Sequence, residues 1–359
     1  MNNLNFSQSI QDIISFQPIS GDQLVCRDLQ GFLKLYNAEG FILLHDRDSE
    51  DSLFEYGNKI IISRRKGRDN FLSYELIEFD RQTSIFKPLA EDVFPLYGYG
   101  SKLLLKQYGE SKSGLVQFDL ESQEYEWELD FDFRPFCYGG GIVFGAIGRK
   151  RNTVVAVSSI EGLVIWNYNL SDLGLWIDYD GQEKKHQVLR SLCIYQSSLY
   201  LFLNSGKILI LDITTGEQIA VLKNDKYLKF DTFGDSIELD IESGKLFQLA
   251  RQSLIEVDLQ TREVSMTRIE DMNSANIENS SRIAYNNTHI YFTDKKAQAL
   301  GALNRSTLKL DWKHKLSQEG VSESEQPRYG RELKLNGDRL YVLDNKNTLH
   351  IFEKDGQRK

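Results

Sequence analysis

The sequence predicts an all-β protein built from eight similar four-stranded antiparallel sheets. Three observations support this fold class. Phe and Tyr number 20 and 17, against 3 Met and 5 Pro, and aromatic residues favour pleated strands. A turn residue that follows an apolar run recurs about every 45 residues, the length of a four-stranded propeller blade. Three of the four Trp residues share one position relative to that turn.

The clearest repeat unit spans residues 197–222. It reads as an apolar strand, a tight turn, a second apolar strand that ends at Asp212, a Thr-Thr-Gly turn and a third strand. Asp accepts hydrogen bonds from the backbone of its own turn, and Gly tolerates positive φ, so both residue types suit these joints. The equivalent turn residues are Asn37, Asp80, Asp119, Ser158, Asp212, Asp258, Asn304 and Glu353.

The repeated tryptophan supports the same register. Trp127, Trp166 and Trp312 each lie eight residues after their turn residue, on the strand that follows the turn. A ring repeated in one position of several units is best explained by packing between neighbouring sheets. We therefore expect these three rings at the contacts between adjacent blades.

The pattern Leu-x-x-Asp-x-x-Thr-Gly followed by Trp resembles the repeat of the quinoprotein-like (PQQ-like) β-propellers, which are related in shape to WD40 propellers. The resemblance covers essentially the whole chain and implies a β-propeller. It does not imply the quinone cofactor, because Cys26, Cys137 and Cys193 are isolated, whereas quinone-dependent dehydrogenases of that family have an adjacent cysteine pair. We expect neither a cofactor nor a metal.

The first and last units are predicted to complete each other. The last unit ends after its third strand, at Phe352, and residues 3–7 are free to add the missing fourth strand. Such a closure removes an exposed sheet edge. The sequence therefore predicts one domain, residues 1–359, in which eight blades form a ring that the N-terminal strand closes. Seven blades are the alternative if a terminal unit is degenerate.

Composition and charge exclude several functions. The net charge of −9 disfavours a phosphate-binding surface, so we expect no nucleic-acid partner. The sequence contains no Gly-x-Ser-x-Gly elbow, phosphate-binding loop or zinc-ligand spacing. The N-terminus lacks a basic region followed by an apolar one, so a cytoplasmic protein without a membrane partner is expected.

Long loops between blades are the expected binding surface, because binding residues concentrate on loops carried by a rigid scaffold. In each blade the loops after the second and fourth strands open on the same side, and the longest follow the fourth strand. Residues 175–181 have the composition of a protein-binding anchor. The candidate contact residues in these loops are Trp176, Asp178, Tyr179, Asp180 and Tyr329.

An acidic stripe is the second candidate surface. Five carboxylates alternate with apolar residues and would share one face of a strand; they are Glu124, Glu126, Glu128, Asp130 and Asp132. Such a stripe attracts a basic partner. The alternative is a solvated outer strand that uses charge to prevent edge pairing.

Two basic clusters in loops after second strands are weaker candidates for anion binding. Their members are Arg64, Arg65, Arg68, Arg149 and Arg151. The alternative for both clusters is a solvated hairpin tip.

These observations favour a non-catalytic protein-binding module with a basic protein partner. One version is an immunity-type inhibitor of a basic toxin. The alternative is a propeller hydrolase or lyase that uses a pair of carboxylates in the central channel. The sequence does not define an oligomeric state.

Overall fold

A computed structural model describes most of the chain. The described residues are 4–20, 23–37, 40–45, 53–66, 73–107, 114–147, 151–178, 180–223, 236–280, 283–316 and 328–354.

The described residues form eight four-stranded antiparallel sheets, the blades, and one separate two-stranded hairpin. The first strand, β1 (Leu4–Ile10), belongs to the last blade. The strands of blades one to four are, in chain order, β2 (Ile13–Ile19), β3 (Gln23–Asp28), β4 (Leu33–Asn37), β5 (Gly40–His45), β6 (Leu53–Tyr56), β7 (Lys59–Lys66), β8 (Ser73–Asp80), β9 (Ile85–Glu91), β10 (Val93–Tyr99), β11 (Lys102–Gln107), β12 (Leu115–Asp119), β13 (Tyr125–Leu129), β14 (Phe133–Gly139), β15 (Ile142–Ile147), β16 (Thr153–Ser158) and β17 (Val164–Asn169).

A short 3-10 turn (Leu170–Leu173) and the separate hairpin, β18 (Leu175–Ile177) and β19 (Glu183–Lys185), follow blade four. One short helix, α1 (Glu270–Ser274), follows blade six. The strands of blades five to eight are β20 (Val188–Tyr195), β21 (Ser198–Leu203), β22 (Ile208–Asp212), β23 (Gln218–Leu222), β24 (Glu238–Asp240), β25 (Lys245–Ala250), β26 (Ser253–Asp258), β27 (Val264–Arg268), β28 (Ala284–Tyr285), β29 (His289–Asp294), β30 (Ala299–Asn304), β31 (Leu310–Lys315), β32 (Gly330–Asn336), β33 (Arg339–Asp344) and β34 (Leu349–Lys354).

This arrangement confirms the predicted β-propeller with eight blades rather than seven. Seven of the eight predicted turn residues are the last residue of the third strand of their blade, and Glu353 lies one residue before the end of β34. The predicted closure is also confirmed. β1 pairs with β34 in antiparallel register, from Leu4 opposite Lys354 to Ile10 opposite Leu349, and it is longer than the expected strand of residues 3–7.

The chain divides into two compact units of four blades each. The first comprises residues 1–47, 236–240 and 245–359, and it holds blades six, seven, eight and one. The second comprises residues 48–235 and 241–244, and it holds blades two to five. The single domain of residues 1–359 stays a prediction.

The hydrophobic core of each unit lies between neighbouring blades. Between blades four and five, for example, Phe144 and Trp166 pack with Leu199 and Leu209. Blades seven and eight are joined in the same way by Leu300, Leu340 and Phe352. The second and third strands supply most of these side chains, because continuous apolar runs suit strands that are covered on both faces.

The turn after each third strand has a recurrent geometry. In blade five, Asp212 Oδ1 accepts hydrogen bonds from the backbone N–H groups of Thr214 (2.8 Å) and Thr215 (2.9 Å). Gly216 N donates to Asp212 O at 3.0 Å, with φ of +74° at Gly216. The backbone donors lower the pKa of Asp212, because they favour its charged form. Equivalent hydrogen bonds are made by Asp80, Asp119, Asp258 and Asn304.

The repeated tryptophan packs onto this turn of the next blade. Trp166 Nε1 donates to Ile213 O at 2.9 Å, and its ring covers Gly216 so closely that a Cβ added there would lie 2.6 Å from the ring. Trp127 makes the same contacts, with Ser159 O at 3.0 Å and with Gly162. The expectation that these rings join neighbouring blades is confirmed.

Trp312 performs the same role with different partners. Its ring lies edge-on to Phe352 of blade eight, with centroids 5.6 Å apart, and stacks on His314 at 5.8 Å.

The ring contact at Gly216 predicts a measurable stability difference. Gly216→Ala adds a methyl group into the Trp166 ring, whereas Gly100→Ala adds one at another positive φ (+54°) with no atom within 4 Å. We expect Gly216→Ala to lower the free energy of unfolding by about 1–3 kcal/mol more than Gly100→Ala, which is the usual cost of overpacking. Urea unfolding of both variants measures the difference. Equal losses in the two variants would contradict the role given to the ring.

Candidate protein-binding surface

The hairpin formed by β18 and β19 does not belong to a blade sheet. It lies in the connection from blade four to blade five, and its strands pair from Leu175 opposite Lys185 to Ile177 opposite Glu183. This segment is one of the long loops singled out from the sequence. It contains regular structure, and we call it the projecting hairpin.

The start of the projecting hairpin is fixed by a capped 3-10 turn. Asn169 Oδ1 accepts a hydrogen bond from Ser171 N at 3.0 Å, and Leu170 is buried in the core between blades four and five. Gly174 ends the turn with φ of +75°, a conformation that glycine adopts without a steric penalty.

The end of the hairpin is fixed to the turn between β21 and β22. Gln187 N donates to Asn204 Oδ1 at 2.9 Å, and Asn204 N donates to Gln187 O at 2.9 Å. His186 Nδ1 and Ser205 Oγ, both buried, lie 2.9 Å apart. Burial lowers the pKa of His186, because it favours the neutral form of the ring. Anchoring at both ends gives the hairpin a defined orientation.

Asp178 organises the turn of the hairpin from inside. Its Oδ1 accepts hydrogen bonds from Asp180 N at 2.9 Å and Gln182 N at 3.0 Å, and Lys184 forms an ion pair with Oδ2. The Lys184 ammonium, helped by the backbone donors, lowers the pKa of Asp178. The sequence selected Asp178 as a contact residue, but its buried carboxylate is engaged within the turn. Asp180 is exposed.

The projecting hairpin presents aliphatic side chains to solvent. Leu175 and Ile177 lie on the same face of β18 and are 54% and 70% exposed. Trp176, on the opposite face, is half-buried, and its Nε1 donates to Lys185 O at 3.3 Å. The sequence reasoning chose the tryptophan and missed its two neighbours. Alternation places Leu175 and Ile177 on the face opposite Trp176, but three residues are too few to define by periodicity which of the two faces is exposed.

The acidic stripe lies only partly on the outer strand of blade three. β13 contains Glu126 and Glu128, whereas Glu124, Asp130 and Asp132 flank it, so the expected strand covers only part of the stripe. All five carboxylates are exposed, and Leu129 and Phe133 are buried.

Two residues of the stripe depart from the predicted pattern. Glu126 is engaged within blade three, where it pairs with Lys102 and accepts a hydrogen bond from Gln117. Tyr125 is about half exposed, because a register shift between Gln117 and Phe118 changes the alternation at this end of the strand.

The remaining candidates are dispersed. Tyr329, in the first unit, lies under Lys295 Nζ (4.6 Å from the ring centroid). Arg151 is exposed and donates to Leu189 O at 3.4 Å. Arg64 and Arg65 lie in β7. Tyr179, Arg68 and Arg149 lie outside the described residues. A binding role for each of these candidates stays a prediction.

The three cysteines of the chain lack the features of catalytic nucleophiles. Burial raises the pKa of Cys26, Cys137 and Cys193 to about 12, so these thiols are protonated and weakly nucleophilic at neutral pH. In the described part of the chain, no group of three or more His, Cys, Asp or Glu side chains could hold a metal ion. Within the described residues, no helix is long and apolar enough to cross a membrane.

Comparisons with known structures agree on the fold. The chain is similar to BamB from Moraxella catarrhalis (14% identity, TM-score 0.58, covering 98% of this chain and 100% of that one). It is also similar to the C-terminal WD40 domain of Sif2 (11%, 0.60, 98% and 99%) and to a europium-containing methanol dehydrogenase (10%, 0.54, 94% and 84%). No protein-family model and no curated protein matches the chain. The structural likeness confirms the PQQ-like and WD40-like resemblance at the level of the fold.

The Asp178 network predicts how the hairpin responds to mutation. In Asp178→Ala the N–H groups of Asp180 and Gln182 lose their acceptor, so their amide hydrogen exchange is expected to accelerate about tenfold or more, the equivalent of about 1.4 kcal/mol. Hydrogen–deuterium exchange of residues 175–185 measures this, with Asp180→Ala as the control that keeps the acceptor. Unchanged exchange in Asp178→Ala would show that another interaction orders the turn.

Proposed function

We propose that the protein is a non-catalytic module that binds another protein through the projecting hairpin of its second unit. The observation that carries this proposal is the ordered exposure of Leu175 and Ile177 on an element outside the blades. A contiguous apolar surface that is left exposed on a fixed support is one mark of a protein-interaction site.

The energetic basis of binding is the rigidity of the hairpin. Asn169 at its start, Asp178 in its turn and Asn204 at its end hold the backbone before any partner arrives. Because little conformational entropy is left to lose, more of the contact energy appears as affinity.

The acidic residues favour a basic partner. The five exposed carboxylates of the acidic stripe, from Glu124 to Asp132, belong to the same unit as the hairpin. An exposed set of carboxylates with a chain net charge of −9 accelerates association with a cationic protein and disfavours an anionic one. An immunity-type inhibitor of a basic toxin is the narrower form of this hypothesis, and it stays a prediction.

Affinity capture from the native source tests the hairpin. We expect Leu175→Ser with Ile177→Ser to reduce partner recovery about tenfold or more, because loss of two anchor side chains costs 1 kcal/mol or more per site. Recovery is quantified by mass spectrometry against the unsubstituted protein.

The matched control carries two serines at other exposed isoleucines of the same unit. Ile85 and Ile241 are 62% and 65% exposed, so Ile85→Ser with Ile241→Ser removes a comparable aliphatic surface. This control is expected to retain the partner. Equal recovery with both double variants would exclude the hairpin as the binding element.

A further inference from the structure

The outer edge of blade four is an unoccupied strand edge within the described residues. β17 is the terminal strand of its sheet and pairs only with β16. Leu170 N donates to Asn152 O at 2.9 Å, which fixes the alternation of the ladder. Asn167 therefore falls at a position whose backbone N–H and C=O point away from β16.

This edge lacks charge and proline, two of the features that normally prevent strand addition. Its ladder with β16 has one register shift, between Ala156 and Val157. β17 contains neither a charged residue nor a proline, whereas β9 of the same unit contains Lys87, Pro88 and Glu91, and β13 contains Glu126 and Glu128. Natural proteins use charge and proline to block exposed edges. β23 is also uncharged, but its aliphatic side chains are partly buried.

Exposed aliphatic side chains accompany the open edge. Ile160 and Leu163 in the preceding turn are 83% and 62% exposed, and Val164 and Ile165 of β17 are about half exposed. Four such side chains within six residues form an apolar surface beside the backbone groups that an added strand would use. A partner strand would bury them while it pairs.

The charges at the two ends of the edge define the occupant. Glu161 lies three residues before β17 and Asp172 three residues after it, and both are exposed. Arg151, which precedes β16 in the chain, donates to Leu189 O of β20. The edge thus has an uncharged centre between two carboxylates, which complements a segment with Lys or Arg at both ends.

The same charges argue against a second copy of this chain. Antiparallel pairing of β17 with β17 of another molecule, centred between Trp166 and Asn167, brings Glu161 of each molecule to the end that holds Asp172 of the other. Carboxylates at both ends of such a dimer repel each other.

We propose that β17 accepts an extended segment of a partner protein as a fifth strand of blade four, the segment having an uncharged β-branched centre and basic residues at both ends. Main-chain hydrogen bonds supply the affinity, and the aliphatic surface and end charges supply the specificity, as in other complexes formed by strand addition. This site is distinct from the tip of the projecting hairpin and goes beyond the proposed function.

Synthetic peptides test the proposal. The probe is a peptide of about ten residues, a usual strand length, with an alternating Thr-Val centre and two lysines at each end. A second peptide has glutamates in place of the lysines, and a third is the lysine peptide with alternate backbone amides methylated. Fluorescence anisotropy at low ionic strength is expected to show binding of the lysine peptide that is about tenfold or more tighter than that of either comparison peptide.

Protein variants locate the site. Ile165→Lys is expected to weaken the lysine peptide about tenfold or more, and Glu161→Gln with Asp172→Asn to remove the preference for lysine over glutamate ends. Leu175→Ser with Ile177→Ser is expected to leave peptide binding unchanged, so failure at the edge and failure at the hairpin are distinguishable. Thermal unfolding verifies that each variant is folded.

Three outcomes would overturn the proposal. The first is equal binding of the lysine and glutamate peptides, or no binding of either. The second is full binding of the methylated peptide, which lacks the donors that strand pairing needs. The third is a dimer of the unsubstituted protein that Ile165→Lys converts to a monomer, because a second copy would then be the occupant.

Discussion

In blades four and five, the turn after the third strand joins the blade internally and also joins it to the preceding blade. Asp212 fixes the turn backbone, Ile213 N donates to Ser197 O of the turn between the first and second strands, and Ile213 O accepts the Trp166 hydrogen bond from the preceding blade. Blade four repeats these contacts at Ser159, through Gly141 O and Trp127. Because one residue takes part in both connections, the hydrogen bonding within a blade and the packing between blades depend on the same short segment.

The sequence predicted the fold well because those contacts require particular residue types at fixed spacing. A side-chain acceptor ends the third strand in most blades, and in blades three and four a Trp ring eight residues later reaches the turn of the next blade. The positive φ at the fifth turn position is less restrictive than expected. Gly216 adopts it in blade five, but Gln123 and Arg262 adopt it in blades three and six. Absence of Gly from several units therefore did not weaken the repeat.

The candidate site was only partly predictable. The sequence showed the long connection after blade four and the unusual tryptophan within it. It did not show which side chains of this connection are buried and which are exposed. Asp178 looked like a surface carboxylate, yet its carboxylate holds the turn through Gln182 and Lys184. Exposure of Ile177 depends on which face of a three-residue strand meets the blade, and so short a segment has too few residues to define that face by periodicity.

We propose that residues 160–185 recognise the partner, because a strand edge without charge or proline and the projecting hairpin follow each other along this segment. Hydrogen–deuterium exchange of the protein with and without its captured partner tests this most directly. We expect slower amide exchange on binding at residues 164–169 and 175–185, with exchange in β29 and β33 of the other unit unchanged. Protection confined to β29, β33 or other elements of the first unit, with residues 160–185 unaffected, would contradict it.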